Sequence, residues 1–244
     1  MSLVPIDYLN GFSSLTYVIV SILVGLTILS KYFKYNQRPF LFVGITWLGL
    51  SEPWIPSSLS FLSNLLFGQG LSLELYIIIG NILTPISLVS WMIAFTDLIY
   101  KQHQSLIVGI YAIIGIVFTI VFINLLFTNP TAIGTFSSDS QVNIDIEYKS
   151  FVMIYLVFIV ITLLITGSIF ARNSLKSNQR EVKLKGKFLL IAFIAWCIGA
   201  VFDSAIPLNF ITLPITRLLL ISSALLFYIG FILPPGIKKL FISE

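Results

Sequence analysis

Continuous apolar runs of about twenty residues recur along the chain and constrain its fold more than any other feature. A helix of this length crosses the hydrocarbon core of a bilayer, where a helix satisfies its own backbone hydrogen bonds. The strands of a membrane barrel would alternate between apolar and polar residues, and these runs do not. Of the 244 residues, 57% are hydrophobic and 10% are charged, whereas soluble domains carry roughly 25% charged residues. The sequence therefore predicts an all-α integral membrane protein.

Seven runs predict a single domain built as a seven-transmembrane-helix bundle. The second run is the weakest of the seven, because Glu52, Pro53 and Pro56 interrupt it. The predicted spans cover residues 15–33, 39–60, 75–100, 105–127, 150–171, 187–207 and 213–233.

Charge is distributed unequally between the two sides of these spans. Loops on one side hold Lys31, Lys34, Arg38, Lys101, Arg172, Lys176, Arg180, Lys183, Lys185, Lys187, Lys238 and Lys239. Loops on the other side hold Asp7, Glu74, Asp139, Asp145 and Glu147, with Lys149 as their single basic residue. The positive-inside rule then predicts an outside N-terminus and a cytoplasmic C-terminus in the cell membrane. The net charge of +4 reflects this asymmetry and predicts contact with anionic lipid, not with nucleic acid.

The two halves of the chain share a pattern. Lys-x-Asn-Gln-Arg occurs at Lys34 and at Lys176, and an apolar run then leads to Trp47 or Trp196. An acid-x-x-Ile-Pro element follows each tryptophan, beginning at Glu52 and at Asp203. The order of these matches predicts a parallel 3+1+3 repeat with the fourth span as the inverting linker. Chance similarity between apolar helices is the alternative.

Four polar residues of the predicted spans are candidates for a ligand-binding pocket. Arg217 is the only basic residue inside a span, and it needs a partner in lipid, for which Glu52 and Asp203 are available. Helix rise places these acids roughly 20–24 Å from the cytoplasmic ends of their spans, and Asn81 about 10 Å below an outer end. Trp47, Trp54, Trp91 and Trp196 are expected to wall such a pocket. The alternative is a packing salt bridge with tryptophans at the membrane interfaces.

Motifs for enzymatic chemistry are missing from the sequence. It contains no zinc-protease, nucleophile-elbow or phosphate-binding motif, so no catalytic residue is predicted. His103 has no second metal-type ligand nearby, which predicts no metal and no haem. The seventh span has no lysine for a retinal Schiff base, and no other cofactor is predicted.

Four segments of the chain carry a resemblance to known proteins, RPFLFVGITWLGLSE, LYIIIGNILTPISLVSWMIAFTDLIYK, KGKFLLIAFIAWCIGAVFDSAIPL and TLPITRLLLISSALLFYIGFIL. They resemble the N-terminal seven-helix sensor region found ahead of some histidine kinases, and they are also similar to stand-alone seven-span archaeal membrane proteins. The resemblance implies a signal-input module and assigns no ligand-binding residue. Because the sequence ends at IKKLFISE without a kinase domain, any output is expected to pass through a cytoplasmic partner.

Three functions are therefore open. The first is a receptor or sensor that responds to an unknown small molecule, lipid or proton and acts through a basic inner surface at Lys183, Lys185 and Lys187. The second is a small 3+1+3 transporter similar to the sugar exporters of that topology, although the Pro-Gln signature is missing. The third is a structural membrane subunit whose polar residues fix helix packing.

Overall fold

The computed structural model describes residues 3–137 and 142–242. Asp139, one of the acids assigned to the outer loops, lies outside them. Two short strands, β1 (Gly134–Phe136) and β2 (Ile146–Tyr148), form an antiparallel hairpin in which Thr135 pairs with Glu147. The α-helices of the described residues are α1 (Pro5–Tyr35), α2 (Arg38–Leu50), α3 (Ile55–Phe67), α4 (Leu73–Asn81), α5 (Thr84–Leu98), α6 (Gln104–Thr128), α7 (Ser150–Leu175), α8 (Arg180–Ala205), α9 (Thr212–Ile232) and α10 (Pro235–Phe241).

Six helical segments of the described chain are long and apolar enough to cross a membrane. This finding confirms the all-α fold class and indicates a multi-pass membrane protein. The six segments are Pro5–Tyr35, Leu73–Leu98, Lys101–Thr128, Phe151–Leu175, Arg180–Ala205 and Thr212–Ile232.

The expected second span, 39–60, is not a single helix. Helix α2 ends at Leu50, a 3-10 turn covers Glu52–Trp54, and α3 begins at Ile55. Proline has no backbone N–H, so Pro53 and Pro56 cannot continue the ladder of α2. Helix α2 nevertheless begins beside Asp97, and α3 ends where Asn64 Nδ2 donates to the Val142 carbonyl. The two helices together therefore run the length of the bundle.

The segment Leu73–Leu98 is also interrupted, at Ile82 and Leu83 between α4 and α5. Pro85 is the second residue of α5 and cannot bond backward along a continuous helix. The helix is therefore broken at this point and not merely kinked. The N-terminal amides of α5 consequently need acceptors from outside the helix.

Helix α1 begins at Pro5, ten residues before the expected start of the first span. Asp7 was assigned to an outer loop, but it lies in the first turn of this helix, where its carboxylate accepts the Val4 N–H at 3.0 Å. Its side chain is buried. Proline in the first turn and an acid three residues after the cap both favour a helix start here.

The basic segment before the sixth expected span is largely helical and not an extended loop. Helix α8 begins at Arg180, so only residues 176–179 connect it to α7. Lys183, Lys185 and Lys187 therefore lie in the first turns of α8, where Lys183 and Lys187 are exposed. Helix α8 thus begins seven residues before the expected lower boundary of this span, 187.

Six helices surround the centre of the bundle in the order α1, α2, α5, α7, α8 and α9, and α9 closes on α1. Helix α6 lies outside against α5 and is largely exposed. Aromatic rings fill the centre: Trp47 stacks on Phe227 with centroids 4.0 Å apart, and Trp91 contacts Phe193. We call the end with the hairpin, the start of α1 and the end of α8 the hairpin end, and the opposite end the basic end.

Helices α1 and α2 approach each other closely at Gly44. A Cβ atom at this position would lie 2.7–2.9 Å from the Cβ, Cα and N atoms of Leu29. Small residues allow helices in lipid to associate through such close backbone contact.

We predict that Gly44→Ala destabilises the protein by about 1–3 kcal/mol, because the backbone of Leu29 cannot move aside as a side chain can. The matched control is Gly109→Ala on α6, where an added Cβ meets nothing within 4 Å. Thermal unfolding in detergent measures both variants. Equal unfolding midpoints for the two variants would contradict the close α1–α2 contact.

Candidate functional site

The guanidinium of Arg217 on α9 lies inside the bundle near the hairpin end, with the residue only 2% exposed. Its Nη1 donates to Asp203 Oδ1 at 2.5 Å, and its Nη2 donates to Asn10 Oδ1 at 2.9 Å. A charge within a membrane span is tolerated when it is paired in this way. The expected pairing of Arg217 with Asp203 is thus present in the structure.

Asp203 joins this ion pair to the break after α2. Its Oδ2 atom accepts a hydrogen bond from Trp54 Nε1 at 2.8 Å. Asn10 Oδ1 also accepts from Ser14 Oγ at 3.1 Å. A single polar network therefore connects α1, α8 and α9 with the 3-10 turn that precedes α3.

Glu52 has a different partner from the one expected. Its two carboxylate oxygens accept the Leu83 backbone N–H at 2.7 and 3.0 Å, and the residue is only 1% exposed. A carboxylate at a helix N-terminus satisfies free amides and interacts favourably with the helix dipole. The interruption of the second segment thus supplies the acceptor that the break between α4 and α5 requires.

Asn81 binds the hairpin. Its Nδ2 donates to the Ile77 carbonyl and to the Tyr148 hydroxyl, both at 2.9 Å. Its Oδ1 is buried and has no hydrogen-bond partner among the described residues. Asn81 therefore anchors β2 on the end of α4 and does not contribute to the Arg217 network.

The four tryptophans occupy two levels. Trp54 and Trp196 lie near the hairpin end, where Trp196 Nε1 donates to the Tyr17 hydroxyl at 3.1 Å. Trp47 and Trp91 lie deeper in the aromatic centre, and Trp91 Nε1 donates to Thr166 Oγ1 at 2.7 Å. Trp54 and Trp196 line the inner cavity described below, and Trp47 and Trp91 line neither of the two cavities described.

An outer cavity of about 420 Å³ opens at the hairpin end. Its wall combines the first turns of α1, strand β2, the end of α8 and the segment that follows α8. Four carboxylates line it, those of Asp7, Asp145, Glu147 and Asp203, and no lysine or arginine of the described residues does. The cavity is therefore strongly acidic.

An inner cavity of about 180 Å³ lies next to the outer one, between α7, α8 and the break after α2. Its wall is mainly aliphatic, and its aromatic members are Trp54, Tyr76, Tyr148 and Trp196. Asp145, Tyr148, Met153, Asp203, Ile146 and Ser204 line both cavities. We call the two adjacent cavities the vestibule, with the acidic outer cavity as its entrance and the apolar cavity as its inner part.

Burial raises the pKa of Asp145 from its ordinary 3.8 to about 6, and the negative charge of Asp203 adds to this shift. The positive charge of Arg217 acts in the opposite direction but does not cancel it. Burial is therefore the main cause of the shift, and the two neighbouring charges modify it in opposite directions.

Charged groups at the basic end form separate contacts. Asp97 pairs with Lys101 and lies 4.0 Å from Arg38 Nε. Glu181 of α8 pairs with Lys238 of α10. Within the residues that the structure describes, no group of three His, Cys, Asp or Glu side chains is placed to hold a metal ion.

Several vestibule residues were not selected from the sequence. Asp145 and Tyr148 belong to a segment that reads as an irregular polar loop. Alternation of apolar residues at 142, 144, 146 and 148 was the available signal for a strand. Asn10 was missed because α1 begins earlier than expected, although polar side chains at 7, 10, 14, 17 and 21 follow a helical period.

No family model, curated protein or solved structure matches the chain. The fold and the vestibule together define a multi-pass α-helical membrane protein with a ligand-sized cavity near one end of the bundle.

We predict that Arg217→Met lowers the free energy of unfolding by about 2–4 kcal/mol, because Asp203 loses its charge partner in a poorly solvated position. Adding Asp203→Asn should recover most of this loss, since Trp54 can still donate to the amide oxygen. The control is Lys238→Met, which breaks an ion pair of two half-exposed side chains and should cost under about 1 kcal/mol. Equal losses in the Arg217 single and double variants would contradict the pairing.

A second prediction concerns pH. Because the pKa of Asp145 is higher in the folded protein than in the unfolded chain, its contribution to stability is complete below pH 3.8 and is lost as the pH rises through 6. As the pH rises from 4 to 7, the free energy of unfolding of the wild type should therefore fall by about 1–2 kcal/mol relative to that of Asp145→Asn. If the free energies of unfolding of the two proteins changed with pH in parallel, this prediction would be contradicted. The charged and titratable groups near Asp145 are Asp7, Tyr76, Glu147, Tyr148, Asp203 and Arg217.

Proposed function

We propose that the protein is a receptor-like sensor of the cell membrane that binds a small molecule in the vestibule. The observation that supports this function is the meeting of an acidic and an apolar cavity at Asp145, Tyr148 and Asp203. Ligand sites are commonly concave and mainly apolar, with a few polar groups that orient the ligand. The vestibule has this composition and an opening at the end of the bundle.

The proposed topology has seven crossings, with α2 and α3 together as the broken second crossing. Lys183 and Lys187 lie at the basic end, and the acidic vestibule lies at the opposite end. The positive-inside rule then assigns the basic end to the cytoplasm and the vestibule to the outside. Ligands would enter from the external solution.

The order of helices in the ring supports the proposed internal repeat. Helices α1, α2 and α5 contact one another in sequence, and α7, α8 and α9 do the same. The two groups meet where α9 contacts α1 and where α5 contacts α7. Helix α6 lies outside the ring, as a linker between two parallel repeats would.

Helix α8 is the element to which we assign signal transmission. It carries Asp203 at the vestibule and Lys183, Lys185 and Lys187 at the basic end. A ligand that displaces Asp203 would therefore act directly on the helix that presents the basic surface. We assign that surface to contact with anionic lipid and a cytoplasmic signalling partner, in line with the signal-input role that the kinase resemblance implies.

Transport is the second candidate, because α4 and α5 form a broken helix with the buried Glu52 at the break. Discontinuous helices of this kind hold substrates or ions in many transporters. The stacked Trp47 and Phe227 below the vestibule favour the sensor, since they fill the centre of the helix ring, through which a substrate would have to pass.

Glucose flux into proteoliposomes that disappears in Glu52→Gln would establish transport and overturn the sensor function.

We predict that Met153→Trp abolishes binding in the vestibule, because Met153 lines both cavities. The neighbouring Ile154→Trp should leave binding unchanged, since Ile154 is 70% exposed on the outer face of α7. Isothermal titration calorimetry measures the binding of 2-phenylethylammonium, 2-phenylethanol and phenylacetate to the protein in nanodiscs. Empty nanodiscs give the baseline. Saturable binding of at least one probe is expected for the wild type. Binding of none, or equal binding to both variants, would overturn the proposed site.

A further inference from the structure

We propose that the vestibule selects an amphipathic cation, an organic ammonium group joined to an apolar group of about the size of a phenyl ring. This inference rests on the proposed function, because it names the ligand class of the same cavity. It depends on three features, which are the charge of the entrance, the shape and composition of the inner cavity, and the position of carboxylates where the two meet.

The entrance has an excess of negative charge. Arg217 is only 2% exposed and donates to Asp203 and Asn10, so its guanidinium is not available to a ligand. Lys149 follows β2, but its side chain is exposed and its Nζ lies 3.5 Å from the Thr131 carbonyl. Asp145 and Glu147 therefore line the outer cavity without an ion pair to any described residue, although the charge of Arg217 still acts on Asp145.

The inner cavity is suited to an apolar ring. Its volume of about 180 Å³ is slightly larger than the roughly 150 Å³ cavity that binds benzene in an engineered protein core. Trp54 and Trp196 supply aromatic surface, and Leu156 and Val160 of α7 supply aliphatic surface. A hydrated inorganic ion would leave this apolar surface without a partner.

Carboxylates and aromatic surface lie side by side at the junction of the two cavities. Asp145 and Asp203 line both cavities, as does Tyr148. An ammonium group at the junction would receive carboxylate acceptors, and the adjacent aromatic faces attract cations through their quadrupoles. An anion in the same position would face the carboxylate of Asp145, which forms no ion pair within the described residues. The arrangement therefore favours a cation attached to an apolar group over either part alone.

The test compares three probes of the same shape that differ in charge. In the wild type at pH 7.5, 2-phenylethylammonium should bind at least about tenfold more tightly than 2-phenylethanol, and phenylacetate should bind more weakly still. Asp145→Asn should weaken binding of the ammonium probe about tenfold and leave the alcohol unchanged. The matched control Glu74→Gln removes an exposed acid in the first turn of α4, outside both cavities, and should change neither affinity.

The outcomes separate the ligand class from the site itself. Equal affinity for the alcohol and the ammonium, tighter binding of phenylacetate, or an unchanged ammonium affinity in Asp145→Asn would overturn the cation preference. If Met153→Trp still abolished binding in those cases, the site would stand without this preference. Should none of the three probes bind the wild type, the proposed function would fail together with the inference.

Discussion

The ion pair between Arg217 and Asp203 is the interaction on which the hairpin end of the bundle depends. A guanidinium inside a membrane protein requires hydrogen-bond acceptors, and Asp203 and Asn10 provide them from two other helices. Trp54 donates to the same carboxylate from the break after α2. Four separate segments of the chain therefore meet at one charged centre. The vestibule lies beside this centre because the buried arginine holds Asp203 at the junction of the two cavities.

The two helix breaks are a second constraint, and each compensates for the other. Prolines end α2 early and place Glu52 inside the bundle, where an ionised carboxylate would be costly without donors. Pro85 interrupts the helix between α4 and α5 and leaves amides that need an acceptor. The bond from Leu83 N–H to Glu52 satisfies both. An acid within an apolar run can therefore be explained by local backbone chemistry, and the proposed function does not require it to bind the ligand.

The hairpin shows how a site can be assembled by a segment that sequence patterns describe poorly. Tyr148 is anchored by Asn81, and Ser60 Oγ donates to the Asn143 carbonyl at 2.6 Å. These bonds hold β2 over the helices, so that Asp145 faces the acidic cavity. The sequence shows the alternation of a strand over residues 142–148, but it does not show on which surface of the protein this strand would lie. The acidic cavity therefore could not be predicted, although three of its four acids, Asp7, Asp145 and Glu147, had been assigned to one side of the spans.

Apolar run length alone determined that this protein is an α-helical membrane protein, because lipid leaves the backbone no other partner than itself. The scarcity of intramembrane charge likewise pointed to Asp203 as a partner for Arg217. Tertiary structure decided which acid actually pairs with the arginine, that Glu52 serves a helix terminus, and that Trp47 and Trp91 fill the core. The physical reason is that burial and hydrogen-bond partners depend on how helices rotate and where they break, and a one-dimensional pattern specifies neither.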